Sequence, residues 1–368
     1  MDGSNKKRVV IVDDSVVMRD LVRRQLLEDG RFTVVGEAGD PYEARDVIKR
    51  TNPDVLTLDV EMPRMDGLSF LEKLMRLRPL PVVMFSSETH RGSRAAIEAL
   101  SLGAIDCIGK PGMHNPDAMK ALAERVFIAS TARIPGRRLP SPDLPARFDW
   151  NGRIVLVGAS TGGVDALESF LAAYPENGPP TLIAQHMPET FLAGFARFLS
   201  ERVRPDVALA REGEVLGQGM VRIAPGGETH LVLSQHAGCV TSRLYAGEKV
   251  SGHRPSVDML FRSATGLGGR IVAVLLTGMG SDGACGMKEL RQAGAFTIAQ
   301  DRDSSVVYGM PRVACEMGAA SLSLSLGEIP GTVLEASRRG ERDLRAPATT
   351  GSVQPKRSFP GGSPPHLR

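Results

Sequence analysis

Between residues 9 and 109 a β-rich apolar run recurs five times, each time followed by a helical pattern: VVIVD (9–13), TVVGEA (33–38), DVLTLD (54–59), PVVMFS (81–86) and AIDCIG (104–109). Strands that read as continuous apolar runs are buried on both faces, and strands separated by helices pair in parallel. This alternation constrains the chain more than any single motif, because it predicts a parallel sheet covered by helices on both faces. It returns after residue 150 with RIVLVG (153–158), TLIAQH (181–186), RIVAVLLTG (270–278) and AFTIAQ (295–300). Between the two sets lies IPGRRLPSPDLPARFDW (134–150), where Pro135, Pro140, Pro142 and Pro145 forbid a continuous helix and predict a semi-stiff linker. Within residues 220–244, MVRIAPGG and HLVLSQHAGCVTSRL depart from the pattern and predict an antiparallel ribbon at one edge of the second sheet.

At 368 residues the chain exceeds one ordinary core, which fits two domains and an appendage. No apolar stretch is long enough to cross a bilayer and no charged-then-apolar leader opens the chain, so a cytoplasmic protein with no membrane insertion is expected. Cys107, Cys239, Cys285 and Cys315 are widely spaced and form no C-x-x-C pair, which argues against a disulfide framework or a structural zinc site. The net charge of +3 is misleading until it is located. Residues 338–368 carry +5, seven Lys/Arg against Glu341 and Asp343, so residues 1–337 carry −2. The folded part therefore lacks the basic stripe of a nucleic-acid binder, and the Pro/Gly/Ser/Arg-rich tail reads as disordered.

In a doubly wound sheet the carboxyl ends of the strands share one rim, where such folds bind ligands. The first five runs end there in Asp13 and Asp14, Asp59, Ser86 and Ser87, and Lys110 followed by Pro111. Any one acidic residue at a strand end is an ordinary solvated loop residue. Together, three carboxylates suit a hard cation such as Mg²⁺, and a lysine and a hydroxyl opposite suit the oxygens of a phosphoryl group. Asp59 sits where a carboxylate can attack phosphorus.

In the second half, VGASTGG (157–163) satisfies G-x-S-x-G between a strand and the helical pattern VDALESFLAAY (164–174). Three readings compete for it: a tight turn, a phosphate cradle, or a nucleophile at the end of a sheet. The cradle is weakest, since the next strand ends in Gln185 and His186 rather than an acid, and no Lys-Ser/Thr pair follows. A nucleophilic Ser160 needs a base, and the base needs an orienting group. His186 at the end of TLIAQH and Asp282 just past RIVAVLLTG supply both on the same rim. The order Ser, His, Asp differs from that of α/β-hydrolases, although triads are defined by geometry rather than order. His230, His236 and His253 lack the spacing of a metal site and are expected to be structural.

VDDS (12–15), LDVEMPRMDG (58–67), SS (86, 87) and KP (110, 111) resemble the receiver domain of bacterial response regulators. That resemblance implies phosphorylation of Asp59 by a histidine kinase, with Mg²⁺ held by Asp14, Asp59 and the backbone of Glu61 and with Asp13 close by. Ser86 would be the switch hydroxyl and Lys110 the phosphoryl contact. Receivers usually carry an aromatic three residues before the lysine; here the residue is Cys107, which leaves an aromatic switch without its ring. GASTGG (158–163), QHMP (185–188), IAPGG (223–227), RPSVD (254–258), LTGMGSDGA (276–284) and GMPR (309–312) resemble the catalytic domain of the chemotaxis protein-glutamate methylesterases, the CheB family. By that resemblance Ser160, His186 and Asp282 form the triad, Thr161 and Met279 line the site, and ester hydrolysis uses no cofactor.

The expected fold class is α/β, with two doubly wound parallel-sheet domains: a flavodoxin-like receiver, then a Rossmann-like methylesterase domain with an antiparallel edge hairpin. The expected boundaries are 8–130 for the receiver, 131–149 for the linker, 150–337 for the catalytic domain and 338–368 for the tail. The family implies demethylation of glutamyl methyl esters on chemoreceptors and deamidation of certain receptor glutamines; the architecture predicts that the unphosphorylated receiver packs over the Ser160 rim, and a monomer is expected. A catalytically silent binding module and a general small-ester hydrolase are the rival readings.

Overall fold

Most of the continuous apolar runs become buried strands in the computed structural model, which describes residues 6–86, 90–110, 116–134, 148–236 and 238–339. In the first half, β1 (Lys7–Val12), β2 (Phe32–Ala38), β3 (Val55–Asp59), β4 (Val82–Ser86) and β5 (Asp106–Gly109) pair in parallel in the order β2-β1-β3-β4-β5. The helices α1 (Val16–Asp29), α2 (Pro41–Thr51), α3 (Gly67–Leu77), α4 (His90–Ser101) and α5 (Pro116–Thr131) connect them. Local chemistry starts these helices where the sheet needs them. The Ser15 hydroxyl accepts from the Met18 N–H at the start of α1, and Asp40 caps α2 ahead of Pro41, whose missing N–H costs nothing in the first turn.

The second half contains β6 (Ile154–Ala159), α6 (Gly163–Ala172), β7 (Thr181–Gln185), α7 (Glu189–Ser200), β8 (Asp206–Leu209), β9 (Met220–Ile223), β10 (Thr229–His236) and β11 (Cys239–Ala246). It continues with α8 (Val257–Ser263), β12 (Ile271–Leu275), α9 (Ala284–Gln292), β13 (Phe296–Gln300), α10 (Met310–Glu316), β14 (Leu322–Leu324) and α11 (Ile329–Ser337). Seven of these strands form one parallel sheet in the order β14-β13-β12-β6-β7-β9-β8. From β6 the chain runs outward one way through β7 and the other way through β12. The strand order therefore reverses between β6 and β12, where open sheets leave a crevice at their carboxyl edge.

One expectation is corrected. MVRI is not part of the ribbon: as β9 it pairs in parallel with β7 and β8. Arg222 in the middle of this run is buried, with its guanidinium bonded to Glu214 and Asp206. The hairpin itself is present. β10 and β11 form a separate antiparallel sheet, whose Leu231, Leu233 and Val240 share a core with Leu260 and Phe261 of α8.

The two α/β halves touch. α4 packs against α6 and α7, so Ile97 joins the apolar cluster of the second sheet while Phe191 of α7 joins that of the first. Gly194 makes room for this contact, since a Cβ there would lie 2.9 Å from Ile97 Cδ1. Arg133 adds a second point of attachment, donating its N–H to Val306 O at 3.0 Å and its guanidinium to Asp303 at 2.7 Å. Burying an isoleucine side chain is worth about 1.5–3 kcal/mol, so Ile97 alone gives the contact measurable strength. Residues 135–147 of the expected linker and 340–368 of the expected tail lie outside the described residues. No described helix is long and apolar enough to cross a membrane.

Candidate active site and acidic rim

The turn after β6 is shaped by what surrounds it. Ser160 donates its N–H to Thr277 O beyond β12, and the Gly163 N–H returns to Ser160 O. Gly162 takes a left-handed φ of 78° at the head of α6, a conformation that suits glycine. Gly278 permits the close approach of the neighbouring loop: a Cβ there would lie 2.6 Å from Ser160 Cβ and 2.5 Å from Met310 Sδ. Gly162, Gly163 and Val164 at the head of α6 line the cavity, and the first turn of a helix has no internal acceptors for its N–H groups, which suits an incoming oxyanion.

His186 follows β7 directly, and its Nε2 lies 2.8 Å from Asp282 Oδ2. Asp282 is 2% exposed and accepts three further bonds, from the Ser256 hydroxyl (2.8 Å), the Val257 N–H (2.7 Å) and the Asp258 N–H (3.0 Å). Burial alone would raise this carboxyl, but its bond to His186 and the two amides outweigh burial and hold it below the usual carboxylate value. An ionised carboxylate only accepts, so Nε2 carries a hydrogen, and in the neutral imidazole Nδ1 then holds the ring's lone pair. Nδ1 is buried and has no hydrogen-bond partner. Relative to the serine-protease arrangement, in which Nδ1 meets the aspartate, the ring is reversed.

Ser160, Thr161, His186 and Met279 line one cavity of 530 Å³, with Asp282 behind His186. Four of the five residues singled out in this half thus share a wall, and the fifth holds one of them. Sequence reasoning missed two others. Gln185 is buried and its amide donates to both Ser160 O and His186 O at 3.0 Å, tying the serine turn to the histidine backbone. It was legible only as part of QHMP. His253, expected to be an ordinary structural histidine, stacks on His186 with ring centroids 3.7 Å apart and planes 9° apart. Burial pushes its imidazole down to about 4, assisted by His186. Its spacing from His186 carries no periodic signal, so only the fold brings the rings together. His230 fits the structural expectation: buried, it accepts from the Ser256 N–H and bonds Glu248 O, supporting the serine that holds Asp282. The side chain of His236 lies outside the described residues.

On the first sheet Asp13, Asp14 and Asp59 gather at the reversal beside β1, each with a carboxylate oxygen within 4.8 Å of the others. Lys110 Nζ lies 2.7 Å from Asp59 Oδ2 and 3.6 Å from Asp13 Oδ2. Burial pushes the Asp59 carboxyl up to about 6 against the pull of Lys110, and burial also raises Asp13. Burial would lower the Lys110 ammonium, but the surrounding carboxylates raise it. The carboxyl shifts thus come chiefly from burial, and the lysine shift from three acids facing a single cation. Asp13 Oδ2 and Asp59 Oδ1 are buried without hydrogen-bond partners, so the donor set has room and charge for a hard cation. Gly67 is required here because a Cβ would lie 2.0 Å from Asp59 O. Glu61 is exposed beside the cluster and its N–H faces the Asp59 carboxylate. Ser86 ends β4, while its side chain, Ser87 and Pro111 lie outside the described residues. Cys107 is buried among apolar neighbours, and burial pushes its thiol up to about 12, so it acts as a small hydrophobe.

Comparison with known proteins agrees with both halves. Residues 9–123 match the response regulator receiver domain model and residues 155–333 match the CheB methylesterase model. A Caulobacter vibrioides protein named protein-glutamate methylesterase/protein-glutamine glutaminase 1 is 49% identical over 90% of this chain and 98% of its own length. A Chromohalobacter salexigens protein-glutamate methylesterase/protein-glutamine glutaminase is 46% identical over 92% of this chain and 99% of its own. Among solved structures, the Thermotoga maritima CheB methylesterase catalytic domain is 36% identical over 50% of this chain and 98% of its own, with a TM-score of 0.49. With both models matched in order and relatives covered almost end to end, the chain belongs to the CheB family of response regulator methylesterases.

Proposed function

We propose that this chain hydrolyses glutamyl methyl esters on chemoreceptors, releasing methanol, that it deamidates specific receptor glutamines, and that phosphorylation of Asp59 activates it. The observation that carries the reading is the His186 to Asp282 bond at 2.8 Å, with the free Nδ1 and Ser160 on one cavity. Ser160 attacks the ester carbonyl. His186 takes the serine proton on Nδ1 and returns it to the departing methoxide, while Asp282 fixes the tautomer and balances the imidazolium. The amides at the head of α6 receive the oxyanion, with Thr161 and Met279 lining the site. An amide substrate differs mainly in its leaving group. Ester hydrolysis by these groups uses no cofactor.

On the receiver, Asp59 is the phosphorylated carboxylate, with a histidine kinase of the chemotaxis system as donor. Asp14, Asp59 and the Glu61 backbone, with Asp13 beside them, would hold Mg²⁺. Bound there, such an ion would offset charge on a transferring phosphoryl group. Lys110 contacts that group from the opposite side and Ser86 is the switch hydroxyl. We take the boundaries as 8–130, 131–149, 150–337 and 338–368, and the protein as a cytoplasmic monomer that binds neither nucleic acid nor membrane. With α4 seated on α6 and α7, the unphosphorylated receiver covers the Ser160 rim, and phosphorylation shifts the population toward an open arrangement.

The test is methanol release from methylated receptor membranes, with and without a small phosphodonor and Mg²⁺. Release is expected to rise with the donor, to vanish in Ser160→Ala, and to stay at its unstimulated level in Asp59→Ala. Release that persists in Ser160→Ala removes the proposed chemistry, and stimulation that persists in Asp59→Ala removes the proposed switch.

A further inference from the structure

Hydrogen bonds leave the orientation of His186 incomplete. Its Nε2 meets Asp282 at 2.8 Å, while Nδ1 has no partner. A single bond at one edge fixes where that edge sits but not the plane of the ring, which could rock about the bond. The side chain is only 5% exposed, so the missing restraint has to come from a packed neighbour. His253 is placed to give it, with its ring centroid 3.7 Å from that of His186 and the two planes 9° apart. The segment that carries His253 is itself fixed. The His253 N–H donates to Val250 O at 2.9 Å and the Val250 N–H donates to His253 O at 3.1 Å. Between them Ser251 and Gly252 take left-handed φ values of 53° and 79°, the pattern of a tight two-residue hairpin turn. Serine seldom adopts that conformation, so the contacts around the turn must hold it there. On the other side the Arg254 guanidinium donates to Gly247 O at 2.7 Å and to Glu228 at 3.0 Å, and the Ser256 hydroxyl donates to Asp282. Residues 250–256 thus present a flat wall to the face of His186 and support the carboxylate at its edge.

His253 lines the same cavity as Ser160 and His186. Burial keeps its ring neutral at ordinary pH, with His186 and Lys249 acting in the same sense and Asp282 against them. Neutrality matters at this place, because a second cation against His186 would oppose the imidazolium that forms when Nδ1 takes the serine proton. We propose that His253 is a positioning residue for the hydrolysis: its flat face holds the plane of His186 so that Nδ1 stays aimed at Ser160 while the proton passes from the serine to Nδ1 and on to the departing methoxide. The proposal rests on the esterase reading of Ser160. What it adds is a residue that touches neither substrate nor serine and acts through the general base.

The experiment measures methanol release from methylated receptor membranes by the full-length protein, with a saturating small phosphodonor and Mg²⁺. It compares His253→Phe, His253→Leu and His253→Ala with the wild type at a temperature where circular dichroism shows each to be folded. Phenylalanine keeps a flat face, leucine fills the space without one, and alanine leaves the space open. His253→Phe is expected to keep kcat within about threefold. His253→Leu and His253→Ala are expected to lose about 30-fold or more in kcat, since a misplacement of about 1 Å at a reacting group can cost about 100-fold. KM should change by less than about threefold in all three, because the loss falls on the chemical step. Leucine as active as phenylalanine would overturn the proposal, since filled space would then be all that the site requires. Equal losses in all three variants would overturn it by making the imidazole itself necessary, and a change in KM alone would turn His253 into a substrate contact. Full activity in His253→Ala would leave it no role. No methanol from the wild type, or release that survives Ser160→Ala, removes the esterase reading and this proposal with it.

Discussion

Replacing Asp282 with Asn keeps the shape of the side chain and removes one acceptor. In the wild type, Oδ2 accepts from His186 Nε2 and the Val257 N–H, and Oδ1 accepts from the Ser256 hydroxyl and the Asp258 N–H. An asparagine amide must aim its NH₂ at one of these pairs. The Ser256 hydroxyl can turn and the imidazole can change tautomer, but the Val257 and Asp258 amides cannot, so one buried donor always faces another. Leaving a buried donor unpaired costs about 1–3 kcal/mol, and a lost charge-assisted bond costs about as much again. A total of about 2–6 kcal/mol, at about 2–4 °C per kcal/mol for a domain of this size, lowers Tm by roughly 4–24 °C. The catalytic loss is larger. If the histidine changes tautomer its Nδ1 no longer accepts the serine proton, and the equivalent change in the serine-protease triad lowers kcat about 10⁴-fold. Receptor methanol release by Asp282→Asn is therefore expected to fall by about 10³-fold or more at a temperature where the variant is folded, with folding checked by circular dichroism. Loss of less than about tenfold in folded protein would refute the assignment of Asp282 as the orienting group. Because the folded carboxyl lies below its ordinary 3.8, the stability that its ionised form contributes is fully present above 3.8 and is lost as pH falls through the folded value.

Three further outcomes follow from the same geometry. His253 faces His186, Asp282 and Lys249 and is pushed down from 6.5 to about 4, so its stabilising contribution is present above pH 6.5 and lost as pH falls toward 4. In His253→Phe the urea midpoint should drop less between pH 7.5 and pH 5 than in the wild type; equal drops would show that the stacked ring is not a buried neutral base. Gly278→Ala forces a Cβ to 2.6 Å from Ser160 Cβ and 2.5 Å from Met310 Sδ. It should cost about 1–3 kcal/mol of stability and over about 100-fold in kcat, whereas wild-type rates would mean the loop has slack that the packing denies. Ile97→Asp places an unpaired charge in the contact between the halves. It should raise donor-independent receptor demethylation several-fold, and an unchanged basal rate would sink the covering role of α4.

How much of this was readable in advance depended on whether the signal was local. The buried strands β6 and β12 are apolar from end to end because both faces are covered, so the alternation alone specified two doubly wound sheets. Sheet topology then brought Asp13 and Asp59 to one rim and Ser160 and His186 to another, since carboxyl ends of parallel strands always share an edge. The run around Arg222 was misjudged because its pairing with Asp206 and Glu214 makes a buried arginine possible, and partners 8 and 16 residues away leave no periodic trace. The same holds for the groups that tune the site. The stack of His253 on His186, the bridge of Gln185 between serine and histidine, and the four donors around Asp282 depend on loops folding over the sheet edge. The seating of Ile97 against α7 depends on two separate domains meeting. The sequence by itself determined which residues lie at strand ends, because periodicity and burial act over a few neighbours. Only the tertiary structure decided which way the imidazole faces, what stacks on it and how much space the receiver leaves above Ser160, because those depend on contacts between segments tens of residues or more apart.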